Sequence, residues 1–152
     1  MRCVRYARPI ELLLICICSF AAPLHAASLD LRKWTGRVVY VDFWASWCAP
    51  CRQSFPWMQK MKEQYASQGL TIVAVDVDQS RADADLFLGR FHPDFQIVFD
   101  PQGTLAEQFK VLGMPTSVIF DRHGVPRFTH VGFLPGDESQ YAREIQSLLA
   151  ER

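Results

Sequence analysis

The sequence predicts an α/β fold, and three observations carry that reading. Five runs rich in β-branched or aromatic residues read as strands: 37–44, 70–77, 95–99, 117–120 and 125–133. Stretches with apolar residues at helical spacing follow or separate them, as in Phe55, Met58, Met61 and Tyr65. Turn residues punctuate the junctions, among them Gly69, Asp100-Pro101-Gln102-Gly103 and Asp121-Arg122-His123-Gly124. At 152 residues, the length suits one globular domain.

The first 27 residues stand apart. Arg2, Arg5 and Arg8 form a basic start, and Leu12 to Ala22 is apolar but short for a membrane span. Pro23 to Ala27 then ends in small residues. This reads as a secretory signal peptide (1–27), cut after Ala26 or Ala27, ahead of one domain (28–152). The alternative is an uncleaved anchor in the inner membrane. Neither Cys16 nor Cys18 follows a small residue, which argues against a lipoprotein site. Losing the leader removes three arginines and one glutamate, leaving 13 basic against 15 acidic residues. That balance gives no sign of nucleic-acid binding. It also removes Cys3, Cys16 and Cys18, so only Cys48 and Cys51 remain.

Past a polar lead-in anchored by Leu29, Leu31 and Trp34, residues 37–44 form a nearly continuous apolar run, suited to a strand buried on both faces. Asp42 interrupts it. It is either a strand-end carboxylate that reaches water or a buried one, whose pKa burial would raise. A helix from the Cys48/Cys51 turn to about Ser67 contains Pro56, expected to kink it, and ends at Gly69. The second strand is 70–77. Ser80 and Asp83 have capping-box-like spacing, and a helix through Ala84, Leu86, Phe87 and Phe91 is broken at His92-Pro93-Asp94. A short strand (95–99), a turn and a helix (104–111) follow. Strand 117–120, a hairpin turn and a last strand (125–133) come next, with Pro126 marking a sheet edge. Tyr141, Ile145, Leu148 and Leu149 stripe a final helix starting near Asp137. His92, His123 and His130 read as surface residues.

The chemistry concentrates at Trp47-Cys48-Ala49-Pro50-Cys51. A C-x-x-C between a hydrophobic strand and a helix start reads as a redox motif. Unpaired N–H groups and the helix dipole favour a thiolate at Cys48, and Cys51 is close enough to close a short disulfide. A three-residue loop gains little entropic stabilisation from closure, which favours a redox pair over a structural bridge.

Val41-Asp42-Phe43-Trp44-Ala45 ahead of that motif, with the distal Met114-Pro115-Thr116, resembles the thioredoxin-fold proteins. The segment Phe99-Asp100-Pro101-Gln102-Gly103-Thr104-Leu105-Ala106 is similar to the insertion of the TlpA/ResA-like extracytoplasmic branch. The resemblance runs from about Leu29 to the end of the chain. It implies a central mixed sheet of about five strands flanked by helices, with an added helix and strand. It implies catalytic roles for Cys48, Cys51, Asp42 and Pro115, with Asp42 moving a proton to or from Cys51. A lysine that the thioredoxin pattern places near this acid is replaced, the matching position being Ala74. Met114–Pro115 is expected to be cis, exposing the Met114 backbone for strand-like pairing with substrate and keeping metal off the thiols. Trp47, Pro50, Met114 and Gly132 are the substrate-binding candidates, with Gly132 permitting close approach; Trp44 is packing.

The function so implied is a periplasmic thiol–disulfide oxidoreductase with no cofactor and no metal. Its partners are proteins with disulfides or thiols and a membrane thiol electron donor, with membrane attachment only if the leader stays. Ala49-Pro50 puts no histidine between the cysteines, which favours a reductase, as in cytochrome c maturation, over an oxidase or isomerase. A metallochaperone or assembly module is the non-enzymatic alternative. No Pro-x-x-x-Thr-x-x-Cys precedes Cys48, which disfavours a peroxidase.

Overall fold

The computed structural model describes residues 29–151. The signal-peptide expectation falls outside them. Within them lie β1 (Val38–Trp44), α1 (Cys51–Tyr65), β2 (Leu70–Asp76), α2 (Arg81–Phe91) and β3 (Gln96–Phe99). Then come α3 (Thr104–Gln108), β4 (Thr116–Phe120), β5 (Pro126–Val131) and α4 (Glu138–Ala150). The sheet order is β3-β2-β1-β4-β5. β1, β2 and β3 run parallel, while β4 is antiparallel to both β1 and β5. This is the mixed five-stranded sheet that was expected, and α2 and β3 supply the added helix and strand.

β1 is buried along its whole length because it is the central strand, covered on both faces. One face carries Tyr40 and Trp44, packed with Phe55, Met58 and Met61 of α1, Phe87 of α2, and Ile145 and Leu148 of α4. The other carries Val39, Val41 and Phe43, covered by Leu105 of α3 and by Leu29, Leu31 and Trp34. Burying each large apolar side chain contributes about 1.5–3 kcal/mol, so this strand is the rigid floor from which the cysteine turn projects. Ser80 caps α2, its hydroxyl accepting from the Asp83 N–H. Gly69 turns the chain after α1 at φ +108°, a backbone conformation glycine adopts without strain. Pro56 lies inside α1.

Most boundaries fall within a residue or two of the sequence reading, and two of the differences have a visible backbone cause. The helix expected over 104–111 ends at Gln108. Lys110 takes φ 54°, and the Val111 N–H returns to the Ala106 carbonyl at 2.9 Å, closing a Schellman-type stop without glycine. The last strand ends at Val131 because Gly132 takes φ +90°. Among the described residues no helix is long and apolar enough to cross a membrane.

Candidate active site

Phe43 pairs with Thr116, and Thr116 with Val131. The end of β1, the start of β4 and the end of β5 therefore meet at one end of the sheet. The cysteine turn, the Met114-Pro115 loop and the Gly132 loop all project there.

The cysteine turn is short. The Cys48 N–H donates to the Ala45 carbonyl at 3.1 Å, and Pro50 leads into α1 with φ already helical at −64°. Cys48 and Cys51 form a disulfide with Cα atoms 5.3 Å apart. The backbone N–H of Cys51, the first residue of α1, points at Cys48 Sγ, 3.2 Å away. Cys48 keeps 3% exposure and Cys51 none. An incoming group meets Cys48 first, and a helix-start N–H stands ready for negative charge on its sulfur.

Asp42 is 1% exposed in mid-strand, so the solvated alternative does not hold. Burial pushes its carboxyl well above the usual carboxylate range, and Oδ2 has no hydrogen-bond partner. Its neighbour on β2 is Ala74, the position where a lysine was noted as replaced; on β4 it is Ser117. The alternation of β1 puts Asp42 on the face of Tyr40 and Trp44, beneath α1 and α4.

The Met114–Pro115 peptide is cis. Pro115 is buried, and Met114 is half-buried against both apolar clusters. Trp47 is 67% exposed, Pro50 half-buried, and Trp44 fully buried against Phe55 and Phe87. The Gly132 N–H donates to the Pro115 carbonyl at 2.7 Å, which ties the two loops together. A Cβ at Gly132 would meet open space within the protein, and its positive φ is a backbone conformation that calls for glycine.

Two groups escaped the sequence reading. Asp78 anchors the residue two before Cys48: its carboxylate accepts from the Ser46 N–H at 2.7 Å and the Ser46 hydroxyl at 3.0 Å. Asp76 in turn accepts from the Asp78 N–H at 3.2 Å, and burial pushes its carboxyl up to about 7. Acids clustered where an apolar strand ends were the available signal. His130 is corrected from a surface residue to a partly buried one. It bonds Glu144 at 2.6 Å, because β5 is covered on that face by α4.

The Redoxin family model matches residues 18–145. Thiol-disulfide oxidoreductase ResA of Halalkalibacterium halodurans is 29% identical over 126 residues, 83% of this chain and 70% of that protein. Thioredoxin-like protein YneN of Bacillus subtilis is 35% identical over 114 residues, 73% of this chain and 66% of that protein. Across such curated relatives the matched stretch spans 51% to 70% of their length. Among solved structures, a Chlorobium tepidum protein described as thiol:disulfide interchange protein DsbE is 45% identical, with TM-score 0.78 over 80% of this chain and 86% of that one. StoA of Bacillus subtilis is 25% identical, with TM-score 0.62 over 72% of this chain and 82% of that one. The chain belongs to the Redoxin family and carries, in a thioredoxin fold, the cysteine pair of a ResA-like thiol–disulfide oxidoreductase.

Proposed function

We propose that the Cys48/Cys51 pair reduces disulfides in proteins outside the cytoplasm, in cytochrome c maturation or a similar thiol-dependent assembly, recharged by a membrane thiol donor. The observation that carries this is the Cys51 N–H aimed at Cys48 Sγ, with the residual exposure on Cys48 alone. Cys48 as thiolate attacks a substrate disulfide; that bond breaks and a mixed disulfide forms. Cys51 then attacks Cys48 Sγ, restoring the internal disulfide and releasing the substrate as a dithiol. Two electrons pass from the pair to the substrate. Asp42 takes the Cys51 proton. Trp47, Pro50, Met114 and Gly132 form the surface the substrate meets, with the Met114 backbone pairing to an extended segment.

The reductive sense is supported by Ala49-Pro50. A cation between the cysteines would stabilise the thiolate, and with it the reduced protein, making an oxidant. Export is supported by the basic-then-apolar start of the sequence. The test of the exchange mechanism is trapping: Cys51→Ala should accumulate mixed disulfides through Cys48 that dithiothreitol releases. A Cys51→Ala protein that serves its clients fully and traps nothing would mean that no exchange takes place.

A further inference from the structure

We propose that Asp42 exchanges its proton with solvent along a lateral row of side chains, Ser117 and the His130–Glu144 pair, that surfaces between β5 and α4. This rests on the reading of Asp42 as proton acceptor for Cys51.

The strand register builds the row. Asp42 pairs with Ser117, and Ser117 with His130. Antiparallel partners share a face, with Cβ atoms about 4.5–5.5 Å apart. The three residues therefore stand in line across β1, β4 and β5, on the face covered by α1 and α4. Exposure rises along the line: Asp42 1%, Ser117 3%, then the side chains of His130 at 13% and Glu144 at 14%. His130 Nε2 meets Glu144 Oε2 at 2.6 Å.

Tyr141 of α4 covers the outer part of the row. Its ring stacks on His130 at 4.0 Å. Its hydroxyl donates to the Gly132 carbonyl at 3.4 Å, so Tyr141 shields the row with its ring and does not carry the proton. The Tyr40 hydroxyl, buried without a partner, adjoins Asp42 and Ser117. The titratable groups around the row are thus Tyr40 and Asp42 of β1, His130 of β5, and Tyr141, Glu144 and Asp137 at α4, with Cys51 of α1 in the same buried cluster. On the other flank Asp42 faces the methyl group of Ala74. Polar side chains therefore lead away from Asp42 toward β4 and β5.

The Ser117 hydroxyl both accepts and donates, so it can pass a proton outward. When Cys51 attacks the mixed disulfide, its proton goes to ionised Asp42. The Cys48–substrate bond breaks with its electron pair on the leaving sulfur. Asp42 then returns to the ionised state by passing the proton along the row to the His130 imidazole, whose ring nitrogens can accept and donate protons.

The test uses the reduced full chain mixed with a chromogenic aromatic disulfide in a stopped-flow absorbance experiment. The first phase reports Cys48 attack, and the second reports Cys51 resolving the mixed disulfide. His130→Gln and Ser117→Ala should each slow the second phase roughly tenfold, less than the about 10²–10⁴-fold of a group that takes the proton directly, because both act through Asp42. They should enlarge its solvent isotope effect, leave the first phase unchanged, and add nothing in an Asp42→Asn background. The row is overturned if both variants resolve at the wild-type rate while Asp42→Asn is slow. It is equally overturned if their slowing persists undiminished beside Asp42→Asn, which marks a packing defect. If Asp42→Asn itself resolves normally, the acceptor role of Asp42 fails and the row fails with it.

Discussion

The amide hydrogen of Cys51 points at the sulfur of Cys48 across 3.2 Å, from the first residue of a 15-residue helix. That contact makes the two cysteines unequal. One sulfur receives a helix-start hydrogen bond and keeps some exposure; the other residue is sealed beneath the sheet-facing side of α1.

In the reduced protein Cys48 should therefore be the thiolate at neutral pH, and Cys51 the thiol. Alkylation by iodoacetamide followed by peptide mapping should label Cys48 well before Cys51. Labelling of Cys51 first would reverse the assignment of nucleophile.

The Asp78 carboxylate holds Ser46 through two hydrogen bonds at a buried site. Removing it leaves the Ser46 N–H short of its acceptor, which costs on the order of 1–3 kcal/mol. Asp78→Ala should lower the denaturant midpoint accordingly and slow Cys48 alkylation by loosening the turn that places it. An unchanged midpoint would show that the turn holds itself.

Asp76 gives a pH signature. Burial raises its carboxyl to about 7 in the folded protein, against about 3.9 when unfolded. Between those values the folded state binds the extra proton, so stability falls as pH rises through that window and is level above it. Asp76→Asn should raise Tm at about pH 8 and leave it close to wild type at about pH 4. Equal shifts at both would exclude ionisation as the cause.

Trp44 and Trp47 lie three residues apart but should behave oppositely. Trp44 is fully buried among aromatic rings, and its replacement by alanine should cost about 3–5 kcal/mol. Trp47 is 67% exposed, so Trp47→Ala should change stability by less than about 0.5 kcal/mol while raising KM for a protein disulfide. A large stability loss at Trp47 would mean that it packs rather than greets substrate.

Much of this molecule was legible in the sequence because its signals are local. The continuous apolar run before the cysteines, the Ser80 cap and the Pro101/Gly103 turn each fix their neighbourhood through short-range sterics or hydrogen bonds. What escaped depends on register or on unusual backbone. His130 looked exposed because β5 alternates weakly; only the placement of α4 over one face buries it. The stop after Gln108 was hidden because lysine, not glycine, takes the left-handed position. The clamp of Asp78 on Ser46 spans 32 residues, and no local spacing announces it.

The measurement that bears most directly on the reductase reading is the standard potential of the Cys48/Cys51 couple, set by equilibrating the protein against dithiothreitol or glutathione buffers. A reductase fed by a membrane donor requires a value near or below about −250 mV, beside thioredoxin. A value of about −120 to −180 mV, where the disulfide oxidants and isomerases lie, would contradict it.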